Sequence, residues 1–335
     1  MFEVPTGNQW QDLFRLAEQI RTRQPWRKYP EELIFTFVKE NRNEPFYMTI
    51  HGFEEEVLGI SVYQGKEDIK KYLNILTESD GLSMQTIIAN QSCVSALFGE
   101  KDMLGVGDFT AMELAQFVPD RSADGHIYFR VYRPGFTPWY INSDQLNLLI
   151  MGLTAFLEAD RIFGDQPFDP EKETVRYAEN KGVITVVIAP FDESLKEKQP
   201  LVVKDDFYIA RLKRLKKHGK CLEIDNCYMN TPVGSGLGPV PFFPKLCIIA
   251  DTDQGYIADQ CIFEEGANEE EAFFEFIAKY FNENGLPRKI NIRGAELYRL
   301  LSDLCDRLNI DLKESRQLAI IDDFLAMVGS FSPEE

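Results

Sequence analysis

Histidine is scarce in this chain, with three in 335 residues (His51, His126 and His218). They lie far apart and none accompanies a serine or cysteine nucleophile motif, so a hydrolase triad has no support. The six cysteines (Cys93, Cys221, Cys227, Cys247, Cys261, Cys305) include no Cys-x-x-Cys pair, which removes the usual zinc spacing. Four of them sit inside apolar strand or helix patterns, where cysteine behaves as a small buried hydrophobe, and free core thiols are expected. Basic charge is also short: 36 basic against 54 acidic residues give a net charge of −18. That charge repels phosphate backbones and anionic lipid, so nucleic acid and membranes are disfavoured as partners. No apolar run approaches the roughly 20 residues of a bilayer span. The opening Met1-Phe2-Glu3-Val4-Pro5 lacks the basic and apolar stretches of a secretory signal, and a cytoplasmic protein is expected.

What the chain has is ample core material. Its 44% hydrophobic content includes 25 phenylalanines and 13 tyrosines, and its length is enough for more than one domain with a core of its own. Trp10, Leu13, Phe14, Ala17 and Ile20 repeat at helical spacing over Gln9 to Arg21. Leu33 to Lys39, Phe46 to His51 and Val57 to Tyr63 read as an antiparallel meander, with Asn41-Arg42-Asn43 and Glu54-Glu55-Glu56 as its turns. A helix over Lys66 to Thr77 follows, then a strand at Met84 to Ala89, short helices within Gly99 to Pro119, and a strand at Tyr128 to Tyr132. Ser143 is read as the N-cap of a long apolar helix to Phe163, and the polar stretch Gly164 to Lys172 places a domain boundary near residue 168.

Residues 169–240 read as a connecting segment. It holds a hairpin around Glu179-Asn180-Lys181-Gly182, a helix over Asp206 to His218, a strand at Leu222 to Cys227 and the Gly/Pro linker Thr231 to Pro244. The basic run Arg211 to Lys217 is assigned to a solvated amphipathic helix capped by Gly219, because Tyr208, Leu212 and Leu215 give it a buried face. Gly234-Ser235-Gly236-Leu237-Gly238 leads into prolines and a strand rather than into a helix N-terminus, so it is read as a linker and not as a phosphate cradle. Residues 241–335 give the clearest order: strand, tight turn, strand, helix, strand, helix, short strand, helix. Asn268 caps the first of these helices, and Val328 closes the apolar face of the last. Strands separated by amphipathic helices imply a mixed sheet covered by helices. The fold class expected is therefore α+β, an N-terminal antiparallel meander with helices (residues 1–168) followed by a C-terminal mixed α/β sheet.

The marks Gln24-Pro25-Trp26, Ile50-His51-Gly52, Leu58 to Gly65, Phe129-Arg130-Val131-Tyr132-Arg133-Pro134-Gly135-Phe136-Thr137-Pro138-Trp139, Pro241 to Pro244 and Pro287 to Ile292 occur in order along the chain. In these the chain resembles a family of uncharacterised bacterial proteins built of paired domains of unknown function, from Trp10 to Val328. That resemblance implies no activity. The C-terminal strand order also resembles the ribonuclease H-like fold, whose nucleases hold two metal ions with carboxylates on the first strand, the fourth strand and the last helix. On that likeness Asp251 takes the first position, with Asp322 or Asp323 on the last helix. The middle strand, Lys289 to Arg293, offers no acid, and Glu296 lies just past it. Ile248-Ile249-Ala250-Asp251-Thr252-Asp253 is in turn similar to the haloacid dehalogenase-like phosphatases, in which the first Asp attacks phosphorus and the second is acid/base. Gly255, however, stands where that family has Thr or Val.

Against both readings, Asp251 to Gly255 between two apolar strands is ordinary hairpin chemistry. Arg130, Arg133 and Trp139, around the Pro-Gly-Phe-Thr-Pro turn, would line a recognition pocket or pack a domain junction. The expectation is a non-catalytic binding or interaction module, with an unknown protein or small molecule as partner and no cofactor. Its alternative is Mg²⁺- or Mn²⁺-dependent phosphoester hydrolysis at Asp251, Asp253 and Asp322, with Asp251 and Asp323 as metal ligands.

Overall fold

A computed structural model describes residues 4–40, 42–52, 57–77, 84–119, 125–197, 200–234, 239–263 and 269–329. The turn residues Asn41 and Glu54 to Glu56, the linker run Ser235 to Gly238, the cap Asn268 and the side chain of Val328 lie outside that description. The chain forms two compact units, Met1–Lys196 and Glu197–Glu335. No helix among the described residues is long and apolar enough to cross a membrane.

The first unit begins with α1 (Gly7–Arg23), whose Trp10, Leu13, Phe14, Ala17 and Ile20 form one buried stripe. Thr6 and Gln9 cap it reciprocally, and Gln24, at φ 49°, turns the chain out of the helix ahead of Pro25. Strands β1 (Phe35–Lys39), β2 (Phe46–His51) and β3 (Leu58–Tyr63) form the expected meander. Then come α2 (Lys66–Leu76), α3 (Met84–Asn90), β4 (Cys93–Gly99), α4 (Val106–Leu114), β5 (His126–Tyr132), α5 (Ser143–Phe163), β6 (Glu173–Asn180) and β7 (Val183–Pro190). The sheet order is β5-β4-β3-β2-β1-β6-β7, antiparallel except where β1 runs parallel to β6.

Three expectations change here. Met84 to Ala89 is a helix, and the strand, β4, comes just after it. The α3 sequence buries Ile88 alone, whereas Cys93 to Phe98 is buried on both faces, as a strand inside a sheet must be. The cap of α5 is Asn142, whose side chain accepts from Gln145 N, and not Ser143. The boundary falls at residue 196 rather than 168, because the hairpin read as a connector supplies two strands of the sheet, with β6 paired to β1 over Phe35 to Lys39.

Alternation sends Phe35, Phe37, Phe46, Met48, Ile50, Ile60 and Val62 to one face, under α1, α4 and α5. Ile34, Tyr47, Tyr63 and Cys93 go to the other, under Ile69, Tyr72 and Leu73 of α2. Burying each large apolar side chain contributes about 1.5–3 kcal/mol. Helix α5 lies close on the sheet at Gly152, where a Cβ would stand 2.8 Å from Val62 Cγ2.

The second unit contains α6 (Asp206–Leu212), β8 (Cys221–Tyr228), β9 (Lys245–Asp251), β10 (Tyr256–Ile262), α7 (Glu269–Asn284), β11 (Lys289–Ile292), α8 (Ala295–Leu308), β12 (Asp311–Glu314) and α9 (Ala319–Gly329). The basic helix is shorter than expected. Asp205 caps its start, but it stops at Leu212, and by His218 the chain is extended, with His218 N donating to Leu286 O at 2.8 Å. Gly219 therefore caps nothing. The sheet order is β10-β9-β8-β11-β12, with β8, β9 and β10 antiparallel and β11 and β12 parallel to β8. The sheet thus begins with β8, so the strand expected in the connecting segment belongs to the second unit. Helices α6, α7 and α8 cover the face that holds Leu222, Ile224, Cys247 and Ile249, and α9 covers the face of Cys227, Leu246, Ile248 and Ala250.

Candidate functional site

Strand β8 reads Cys-Leu-Glu-Ile-Asp-Asn-Cys-Tyr, so its alternation places two acids, Glu223 and Asp225, on the α9 face of a central strand. Both are buried, at 6% and 3% exposure, and buried carboxylates must be paired or hydrogen-bonded. Glu223 Oε2 accepts from Ile320 N at 3.0 Å and Ile321 N at 3.3 Å, satisfying free donors at the start of α9. Asp225 Oδ2 accepts from Arg293 Nη2 at 2.7 Å and Nε at 3.0 Å. The same guanidinium reaches Asp322 Oδ1 at 2.8 Å. Arg293 directly follows β11, so one cation ties the first strand, the strand beside it and the last helix together. Burial raises the pKa of Asp225, Arg293 opposes that rise and the neighbouring Asp322 adds to it. The pKa of Arg293 is itself held above the ordinary value, since Asp225 and Asp322 outweigh its own desolvation.

Asp251 and Asp253 lie elsewhere. Asp251 pairs with Leu222 across β8 and β9, on the α7/α8 face, opposite the face of Asp225 and Asp322. Its Oδ1 accepts from Asp253 N and Gln254 N at 3.1 Å each, and Lys220 Nζ stands 2.9 Å from Oδ2. Burial works against this charge, but Lys220 and the turn amides hold its pKa below the usual carboxylate value. Asp253 Oδ2 accepts from Cys221 N at 3.1 Å, and Gly255 has φ 72°. Both acids thus build the hairpin and stitch it to β8. They do not converge with Asp322, and Asp323 is exposed. Glu296 joins neither group: with Glu269 it holds the buried Lys245, at 3.2 and 2.9 Å. Among the described residues no three His, Cys, Asp or Glu side chains are grouped to hold a metal ion.

In the first unit, Arg130 is turned inward. Its Nη1 and Nη2 donate to Asp108 Oδ1 and Oδ2 at 2.7 and 2.8 Å, Nη1 also to Phe129 O, and the guanidinium lies 5.0 Å from the rings of both Tyr128 and Tyr140. Arg133 is exposed over the Phe136 ring at 4.2 Å. Trp139 exchanges backbone hydrogen bonds with Val131 and packs against the core. The contacts of Arg130 and Trp139 secure a loop and α4. A cleft of about 200 Å³ lies on the α2 side of the sheet, between Thr36, Tyr47, Lys66, Thr174 and Arg176.

Residues 10–177 match the model of a domain of unknown function, DUF7309, and residues 208–328 match that of a second, DUF6930. The chain belongs to the DUF7309 family. Among curated proteins no match was found. The DUF7309 match ends inside β6, before the sheet is complete, and the DUF6930 match runs from α6 into α9.

The DUF7309 sheet also carries a polar ladder that the sequence reading missed. His51 Nε2 lies 2.9 Å from Ser61 Oγ and 3.2 Å from Thr49 Oγ1, and Ser61 Oγ lies 2.8 Å from Ser95 Oγ. Burial lowers the pKa of His51 to about 4. A histidine that is neutral when folded takes up a proton more readily when unfolded, so its stability is fully present above the unfolded pKa near 6.5. That stability is lost as the pH falls toward 4. In urea unfolding the wild type should therefore lose about 1 kcal/mol more stability than His51→Gln does in going from pH 7.5 to 5.5. Equal slopes for the two proteins would show that His51 titrates as it does in water.

Proposed function

We propose that the chain acts by binding and not by catalysis, and that its second unit is a ribonuclease H-like unit whose carboxylate site is closed by an arginine. Support for the fold comes from the sheet: three antiparallel strands, with the fourth and fifth parallel to the first and helices on both faces. The observation that carries the reading is the Arg293 guanidinium between Asp225 and Asp322. In that fold family the first strand, the fourth strand and the last helix each supply an acid. Here Arg293, the residue just past the fourth strand, supplies the opposite charge, at the place where a cation would sit. A divalent ion does not fit beside it, because it would have to displace an ion pair that already satisfies both carboxylates. Hydrolysis at Asp251, Asp253 and Asp322 has no such geometry behind it, since these acids lie on two faces of one sheet. With a net charge of −18, the partner class this reading favours is a protein surface or small molecule in the cytoplasm, rather than nucleic acid.

Calorimetric titration of the full chain with Mn²⁺ tests the reading. No saturable binding is expected, in the parent or in Asp225→Asn. Submillimolar binding that Asp225→Asn or Asp322→Asn abolishes would return the site to metal chemistry and overturn the proposal.

A further inference from the structure

A sheet edge presents a row of unpaired backbone donors and acceptors, and folded proteins guard such edges with charge, bulges, short length or cover. Strand β12 is only four residues long, and three of them, Asp311, Lys313 and Glu314, are charged. A bulge between Ile257 and Asp259 interrupts β10. On β5, Val131 exchanges both backbone hydrogen bonds with Trp139, at 2.8 and 3.0 Å. Among the described residues the fourth edge, β7, has no such guard. Its eight residues, Val183 to Pro190, carry no charge, pair with β6 without a bulge and include none that is fully buried. Val183 and Val187 are 63% and 51% exposed.

The backbone directions follow from the pairing. Phe191 N donates to Lys172 O at 2.8 Å, one step beyond the Pro190 to Glu173 pair. In an antiparallel ladder alternate residues bond to the same neighbour, so odd-numbered residues of β7 face β6. Ile184, Val186 and Ile188 therefore direct their N–H and C=O groups outward.

We propose that β7 pairs with β7 of a second copy of this chain, antiparallel about a two-fold axis at Val186, joining two seven-stranded sheets into one. About that axis Val186 meets its own counterpart and Ile184 meets Ile188, each pair exchanging two hydrogen bonds. Every outward donor of the strand is then used, and Pro190, which has no N–H, falls at the end of the ladder. Charge favours this occupant and this direction. Lys181 is exposed just before β7, and Asp192 and Glu193 are exposed just after it. Asp192 already lies 3.2 Å from Lys66, which leaves it within reach of a second cation at the surface. An antiparallel mate brings Lys181 of one copy to the Asp192–Glu193 end of the other at both ends of the strand, whereas a parallel mate sets like against like. The inference concerns the first unit and does not depend on the closed carboxylate site.

Light scattering on the eluting full chain tests it, with twice 38.5 kDa expected for the wild type. On the face away from α5, Thr185 of one copy stands opposite Val187 of the other, so Thr185→Lys with Val187→Lys sets lysine against lysine twice and should give monomer. Thr185→Glu with Val187→Lys sets opposite charges in the same places and should restore the dimer. Hydrogen exchange on the wild type reads the pairing without any variant: the Ile184, Val186 and Ile188 amides should be protected and should lose protection on dilution. A wild-type monomer with freely exchanging Ile184, Val186 and Ile188 amides overturns the proposal and leaves the edge to a strand from another protein. A dimer that the lysine pair leaves intact, or that the charge pair fails to restore, overturns it as well.

Discussion

Arg130→Ala should destabilise the first unit by about 3–5 kcal/mol, the cost of leaving a buried charge without its partner. The Arg130 and Asp108 side chains are 12% and 6% exposed, and the guanidinium meets the carboxylate with two parallel hydrogen bonds. Without Arg130, Asp108 keeps Gly105 N as a donor, at 2.9 Å, and no cation. The Tyr128 and Tyr140 rings also lose the charge between them. Thermal unfolding should fall by on the order of 10 °C. Arg130→Lys keeps the charge but loses the fork, and should cost about 1–2 kcal/mol. Replacing both partners, as in Asp108→Leu with Arg130→Met, should recover most of the loss, since no charge is then left buried. A loss below about 1 kcal/mol for Arg130→Ala would contradict the buried pair, and of the two roles its sequence context allows, lining a recognition pocket or packing a junction, would favour the pocket.

The difference between those two views of Arg130 marks the limit of what the sequence carried. Periodicity was enough for α1, β2, α5 and the C-terminal alternation of strands and helices, because each buries one face and writes that face into its residues. It misplaced β4 because Met84-Gln-Thr-Ile-Ile-Ala-Asn and Cys-Val-Ser-Ala-Leu-Phe-Gly are both short and apolar, and period alone does not separate a two-turn helix from a buried strand. The boundary near 168 rested on composition, which does not register that β6 pairs with β1 from some 140 positions away. At the candidate site the Asp251 turn stands out in the sequence because its acids, Asp251 and Asp253, lie two residues apart. The residues that meet in space, Asp225, Arg293 and Asp322, come from three separate elements. A trace of them was present: Glu223 and Asp225 alternate with Leu222 and Ile224, and an acid on a strand with no exposed face needs a partner from elsewhere.

That need gives the second large effect. Arg293→Ala should cost about 3 kcal/mol at neutral pH, the low end of the range for breaking a buried pair, because the arginine side chain remains 36% exposed to water. Two parts of the loss separate experimentally. Asp322 is 38% exposed and can be rehydrated, so Asp322→Asn alone should cost less than 1 kcal/mol. Asp225 is 5% exposed and cannot. Its pKa is already raised by burial with Arg293 present, and rises further without it. An acid whose folded pKa lies above its unfolded one is more stable folded at low pH, and loses that advantage as the pH rises through the folded value. The gap between Arg293→Ala and the wild type should therefore be widest at neutral pH and narrow as the pH falls and Asp225 takes up a proton. Asp225→Asn in the Arg293→Ala background should close much of the gap at pH 7, since the uncompensated charge is then gone. Chemical denaturation of the wild type, Asp225→Asn, Arg293→Ala and the double variant across pH gives the coupling energy directly. If the gap does not change with pH, Arg293 acts through packing of its aliphatic stem, and the picture of a cation standing in a carboxylate site fails with it.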